Sequence, residues 1–449
     1  MSSLLAVADV APRSQMGLSL GWHIILACLG VGLPALVLFA EWRGMRTGDP
    51  TYRLLARRWA RALGVLFAVG AVSGTILSFE MGVLWSGLMD HYGSVIGLPF
   101  TIEGFAFFIE AVFLGIYLYG WDRLSPRTHL LSGLPILVAG VLSAFFVVTA
   151  NAWMNSPQGF VERDGKVVST DPWRAMFNAA TWPETTHMLL AAFMVTGFAV
   201  ASVYAVAMLR GRTDAYHRIG LRIALALGAI AAPLQVVVGD WATRYVASDQ
   251  PTKLAAIEGL YQSGGHAPLS IGGLYIGDSL KGALHIPSGL SLLLHFDPSG
   301  VVQGLDAVSP VDRPPVAIVH LSFDVMVGIG FGLVALAAWF GWTAWRRRRL
   351  PRSRWFLRAV AVSGVASVVA MEAGWIVTEV GRQPWVVYGL LRTSNAVNPA
   401  SGVAAGLPVL VAVYAVLTVV LVVVLRRMTR STPVPVAPQE ADADEYAVV

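Results

Sequence analysis

The chain has 449 residues, of which 56% are hydrophobic and 13% charged, with a formal net charge of +5. A soluble globule carries about a quarter charged residues, so this deficit excludes an ordinary water-soluble domain and points to lipid, where an unpaired charge is expensive. The small basic excess is positional and does not suggest nucleic acid, and the single cysteine, Cys28, excludes an intramolecular disulfide and a cysteine-based metal site.

Crossing a ~30 Å hydrocarbon core takes about 20 mainly apolar residues. In chain order such runs are predicted at 16–41, 60–84, 97–120, 129–152, 184–209, 219–245, 315–345, 355–380 and 403–426. They are continuously apolar and do not alternate with period two, which favours helices over a barrel. The predicted fold class is therefore all-α, a polytopic membrane bundle of about nine transmembrane helices. No basic n-region with a cleavage site precedes the first run, so it reads as a retained span.

Arginines sort the connections. Arg43, Arg46, Arg53, Arg57 and Arg58 follow span one, and Arg123 and Arg127 follow span three. Arg210, Arg212 and Arg218 follow span five, the run Arg346 to Arg349 follows span seven, and Arg426, Arg427 and Arg430 follow span nine. The connection expected at 85–96 has no Lys or Arg. The positive-inside rule then puts the N-terminus outside and the C-terminus in the cytoplasm. Two outer loops are long, 153–183 and 246–314, and loops of that length are usually functional or disordered. Residues 1–430 form one membrane domain, and 431–449, rich in Pro and then acidic, read as a disordered cytoplasmic tail.

An ionisable residue inside a span is a functional hypothesis by default, because something must offset its desolvation. His23, two turns into span one, is either an iron ligand or a helix–helix hydrogen-bonding residue. His187 opens span five just after Pro183, and Met326 lies in span seven; a His/Met pair on two helices suits a low-spin haem, although a methionine alone is usually packing. Glu103 and Glu110 lie seven residues apart in span three, on one face and ~10 Å apart. Two such carboxyls fit a proton relay or a haem site, with an interhelix ion pair as the structural alternative. Glu372 and Glu379 repeat the spacing in span eight, and Arg382 follows Glu379 by less than a turn, able to neutralise it or to clamp a haem propionate.

The segment Gly381-Arg-Gln-Pro-Trp385, preceded by Glu372-Ala-Gly-Trp, resembles the signature of subunit I of the cytochrome bd quinol oxidases. Glu103-Gly with Glu110, Gly120-Trp-Asp-Arg-Leu, Ala150-Asn-Ala-Trp-Met-Asn and Lys253-Leu-Ala-Ala-Ile-Glu258 agree, over about Arg13 to Val424. The resemblance implies that His187 and Met326 are axial ligands of a low-spin haem b. It implies that His23 and Glu379 ligate the high-spin pair, a high-spin haem b and a haem d or further haem b. Glu103, Glu110, Ser143 and Asn151 would then lie near the oxygen site and its proton route, Trp375 between haems, Arg382 near propionates, and Lys253 and Glu258 at the outer quinol-binding loop. The implied activity is a quinol:oxygen oxidoreductase of the bacterial cell membrane, working with a second large membrane subunit and small single-span subunits. Quinol would be oxidised outside and O2 reduced to water with cytoplasmic protons, generating proton motive force without a pump.

Three features set this chain apart from long-loop members of that family: the short outer loop, the spacing of seven rather than eight between the span-three glutamates, and Asp324 where those members have Arg two residues before the methionine. An acid there would favour oxidised haem. Two other readings compete. One is an all-b-haem, cyanide-insensitive quinol oxidase. The other, from a different class, is a proton-coupled transporter, although no inverted repeat is visible and transport leaves His187 with Met326 unexplained. A haem-free structural paralogue is opposed by the intact candidate ligands.

Overall fold

In the computed structural model, residues 2–347, 350–351 and 353–430 are described. Arg348, Arg349 and the expected tail 431–449 lie outside the described residues. Among the described residues thirteen α-helices run in order: α1 (Ser2–Thr47), α2 (Pro50–Leu84), α3 (Ser86–Gly120), α4 (Pro126–Asn155), α5 (Pro172–Met176), α6 (Thr181–Leu209), α7 (Ala215–Asp249), α8 (Pro251–Glu258), α9 (Gly289–His295), α10 (Val316–Arg347), α11 (Arg354–Gly381), α12 (Thr393–Ala396) and α13 (Gly406–Arg430). Among the described residues nine helices are long and apolar enough to cross a membrane: α1 to α4, α6, α7, α10, α11 and α13. They alternate in direction, so the bundle has an arginine end and a loop end.

The helices outrun their apolar cores, because a turn beyond the hydrocarbon needs caps rather than hydrophobicity. α2 starts ten residues before its predicted span, with Pro50 in its first turn and the Asp49 carboxylate accepting the Thr51 N–H at 2.8 Å. The connection expected at 85–96 is helix instead: only Trp85 interrupts the path from α2 to α3. Leu88, Tyr92, Val95 and Ile96 recur at helical spacing and are buried in a cluster with Trp153 and Val387.

The two long connections carry short strands and helices. Residues 160–170 form a hairpin of β1 (Phe160–Arg163) and β2 (Lys166–Thr170). After α8, β3 (Leu269–Ile271) pairs with β6 (Leu284–Ile286), and nested between them β4 (Leu274–Ile276) pairs with β5 (Ser279–Lys281). A last hairpin joins β7 (Trp385–Val387) and β8 (Leu391–Arg392) after α11. All of these sit at the loop end.

Close helix contacts rest on small residues. A Cβ on Gly197 of α6 would collide with the backbone of Gly228 on α7, and one on Gly133 of α4 with Leu38 and Tyr117. At the arginine end Glu41, His129 and Tyr117 form a buried clasp. His129 Nδ1 lies 2.6 Å from Glu41 Oε1, the Tyr117 hydroxyl donates to Glu41 Oε2 at 2.5 Å, and His129 Nε2 donates to the Tyr117 carbonyl at 2.9 Å. α1, α3 and α4 are thereby tied where Arg57 pairs with Asp122.

Candidate functional site: buried ligands and a charged network

Three of the four proposed iron donors, His23, His187 and Met326, face a glycine on a neighbouring helix. His23 on α1 points at Gly74 of α2, where a Cβ would stand 3.3 Å from Cε1. Its Nδ1 lies 2.7 Å from the Ser73 hydroxyl, which itself donates to the Gly70 carbonyl at 2.9 Å. The hydroxyl proton is therefore committed, Nδ1 carries the proton, and the Nε2 lone pair is left for a metal. His187 on α6 faces Gly239 of α7 at 3.4 Å, and its Nδ1 is buried without a hydrogen-bond partner. Met326 on α10 faces Gly374 of α11, where a Cβ would stand 2.9 Å from the sulfur.

Among the described residues no three His, Cys, Asp or Glu side chains converge on a protein-only metal site. Haem is a different case, since the macrocycle supplies four iron ligands and asks the protein for one or two. Glycines opposite three N or S donors, and the buried unpartnered atoms His187 Nδ1, Glu372 Oε1 and Arg382 Nε, fit such a group. Glu372 lies against Gly21 of α1, two residues from His23, and Trp375 packs in the same cluster with Leu20 and Met188.

On α3, Glu103 accepts a hydrogen bond from Ser143 of α4 at 3.1 Å, and the Glu110 carboxyl is buried against Gly140, where a Cβ would stand 3.4–3.5 Å from all three carboxyl atoms. The two predicted carboxyls thus share the α3–α4 seam, and among the described residues no cation is within salt-bridge distance of either.

The predicted trio Asn151, Glu379 and Arg382 belongs to a larger network. Asn151 of α4 donates to Glu379 Oε1, and Arg382 pairs with Glu379 Oε2 at 2.6 Å. Asn155 is the hub. Its Nδ2 donates to Glu184 Oε1 at 2.8 Å and to Asn151 Oδ1 at 3.2 Å, while its Oδ1 accepts from Lys253 Nζ at 3.0 Å and Arg382 Nη1 at 3.3 Å. Gln250 closes the ring by donating to the Asn155 carbonyl at 2.7 Å. Arg382 is 2% exposed and Lys253 3%. Two acids, Glu184 and Glu379, balance two cations, which is how a dry pocket tolerates charge. Burial pulls the Lys253 ammonium down to about 8, against the opposing pull of Glu184.

Lys253 and Glu258, paired in the sequence reading, face different clusters. Lys253 turns into the network, its stem packed against Gly381. Glu258 lies beneath the nested hairpins, where burial raises its carboxyl to about 8, with the Ser270 N–H lowering it and Asp324 raising it further.

Sequence reasoning missed Glu184, Asn155 and Gln250, all near helix ends, where a polar residue reads as a cap. The spacing of Asn151 and Asn155, one turn apart, was the available signal. It also missed Glu80 of α2, a buried carboxyl that accepts from Ser19 at 2.8 Å through Oε1 and leaves Oε2 without a partner. Glu80 lies seven residues after Ser73, so two turns of one α2 face serve α1.

Residues 11–433 match the family model described as cytochrome bd terminal oxidase subunit I. The chain is 39% identical to the "Putative cytochrome bd menaquinol oxidase subunit I" of Bacillus subtilis (strain 168), over 95% of this chain and 97% of the relative. It is 30% identical to the cytochrome bd ubiquinol oxidase subunit 1 of the same organism, over 87% of this chain and 86% of that one. The solved structure of bd oxidase from Geobacillus thermodenitrificans superposes with a TM-score of 0.89 at 39% identity, covering 95% of this chain and 99% of that chain. With the match spanning all nine apolar helices and the whole buried network, the chain belongs to the cytochrome bd terminal oxidase subunit I family.

Proposed function

We propose that the chain oxidises membrane quinol at the loop end and supports reduction of O2 to water within the bundle, with the loop end outside and the arginine end in the cytoplasm. The observation that supports this reading is the set of half-buried donors His23, His187 and Met326, each opposite a glycine, with His187 Nδ1 buried and without a hydrogen-bond partner. As a family member the chain is a multi-pass bacterial membrane protein, a subunit of a haem-containing oxidoreductase that works with a second subunit.

His187 and Met326 would hold a low-spin haem b; His23 and Glu379 would serve a high-spin haem b and a haem d or further haem b. Bound haems supply one-electron carriers and the iron at which oxygen chemistry takes place. The protein's own groups do the rest. Glu258 accepts a proton from the quinol hydroxyl, in a pocket dry enough to keep its carboxyl basic. Asn151 and Arg382 fix both oxygens of Glu379, so its orientation is set before any ligand binds. Arg382 and Lys253 bring positive charge suited to a propionate. Trp375 fills the space between the His23 and His187 helices. Glu110 and Glu103, with Ser143 donating to the latter, pass protons from the arginine end along the α3–α4 seam. Protons released outside and taken up from the cytoplasm separate charge without a pump.

The test is a reduced-minus-oxidised spectrum of the assembled complex with His187→Ala. The expected outcome is loss of the low-spin b bands and of quinol oxidation, with the high-spin haems retained. Full low-spin absorbance in that variant would remove His187 from the ligand set, and an assembled wild-type complex without haem bands would remove the oxidase reading altogether.

A further inference from the structure

One buried histidine has no part in the reading above. His320 lies in the second turn of α10 and is 1% exposed. Its Nδ1 lies 2.7 Å from the carbonyl of Ile257, the residue before Glu258. Its Nε2 lies 3.1 Å from the carbonyl of Gly272, in the turn between β3 and β4. A carbonyl oxygen only accepts, so the ring serves these contacts as an N–H donor. Asp324, one turn along α10, also approaches the ring, its Oδ2 3.2 Å from Nε2. That approach is not an aligned hydrogen bond, since Nε2 is directed at Gly272 and Asp324 Oδ2 has no hydrogen-bond partner.

The two carbonyls bracket Glu258. One belongs to its own helix α8; the other lies two residues beyond Ser270, whose N–H donates to the Glu258 carboxylate. Gly259, which ends α8 with φ +60°, brings the chain back past the ring, and a Cβ there would stand 3.7 Å from His320 Nδ1. We infer that His320 is a positioning residue: it latches the β3–β6 loop onto α8 and thereby keeps the Glu258 pocket closed to water. The inference rests on the reading of Glu258 as the quinol's proton acceptor.

The groups around Glu258 decide the sign of the test. Asp324 acts on it from α10, and the Ser270 N–H bonds it from β3. Val246 of α7, Val377 and Val380 of α11 and Leu305 pack the same cluster with apolar side chains. Burial is the largest influence on Glu258 and the Ser270 N–H a smaller one of opposite sign. Releasing the loop removes both, so hydration wins and the carboxyl falls towards its ordinary value. The carboxylate is the form that accepts a proton, so the acid limb of the quinol-oxidation profile moves to lower pH.

The experiment is kcat/KM against pH for the intact oxidase complex of His320→Ala and His320→Gln, with a short-chain quinol as probe, beside limited proteolysis of residues 259–315. The alanine variant is expected to shift the acid limb down by more than about one pH unit and to become cleavable in the loop. The glutamine variant, which keeps an N–H donor, should shift less and resist cleavage, and it carries the test should the alanine variant fail to assemble. An unmoved limb with an uncut loop in both variants overturns the latch. Glu258→Gln separates the two ideas. If it leaves kcat/KM at the wild-type level, the acceptor reading falls while loop cleavage in His320→Ala still decides the latch. If it abolishes turnover and His320→Ala has a wild-type profile and an uncut loop, only the latch falls.

Discussion

Asn155→Leu should be among the most damaging substitutions outside the proposed iron ligands. Leucine fills a similar volume, so packing is roughly conserved and the loss is polar. Four side-chain hydrogen bonds disappear, of which three go to charged groups: Glu184 at 2.8 Å, Lys253 at 3.0 Å and Arg382 at 3.3 Å. Hydrogen bonds to charged groups are worth about 1.5–3 kcal/mol each. The longest is weak, and Arg382 keeps its 2.6 Å pairing with Glu379, so about 3–4 kcal/mol is expected rather than the full sum. The Gln250 bond survives because it goes to the backbone carbonyl. The assay is the thermal inactivation rate of the purified complex, since membrane assemblies unfold irreversibly and their stability is a rate. If the network is lost at the transition state, about 3 kcal/mol corresponds to roughly 150-fold faster inactivation. The double variant Asn155→Leu/Lys253→Met removes the stranded ammonium and should recover a sizeable part of that loss. Inactivation within threefold of wild type, or no recovery in the double variant, would refute the account of Asn155 as the hub of a charge-satisfying network.

Two further outcomes follow from single sites. Glu258 has a folded pKa raised to about 8 from 4.5 by burial, so the folded state holds a proton that the unfolded state releases, and stability falls as pH rises from about 4.5 to 8. Glu258→Gln removes this penalty and still accepts the Ser270 N–H; its half-life should match wild type near pH 5 and exceed it by tenfold or more near pH 8.5, and a pH-independent ratio would contradict the sign. Gly374→Ala puts a methyl 2.9 Å from the Met326 sulfur, so the low-spin haem bands should weaken or shift while the high-spin bands persist; an unaltered spectrum would show that the sulfur is not held at that glycine.

The spans were legible because hydropathy over some twenty residues is a strong signal, and their ends were not, because a capped turn outside lipid obeys different rules. Asp49 and Pro50 show this at α2, and the buried Leu88 and Tyr92 show it at α3, where helix begins well before the apolar run. The nested hairpins escaped notice because three-residue strands carry almost no periodicity. Within the site, what could be read was whatever one helix displays by itself: His23 and His187 in apolar surroundings, Glu103 with Glu110, Glu379 with Arg382. What could not be read was satisfaction across helices. Glu184, three residues before His187, has its partner on α4, and Lys253 on α8 meets that same α4 side chain. His320, which no motif singles out, grips two carbonyls 15 positions apart, Ile257 and Gly272. A buried charge in a membrane helix therefore carries two separate statements. Its presence, visible in sequence, says that something must offset its desolvation. Whether the offset comes from a cofactor or from the protein is decided by packing, and here packing divides them: Lys253 and Glu184 are satisfied by protein, whereas His187 Nδ1 and Glu372 Oε1 are not.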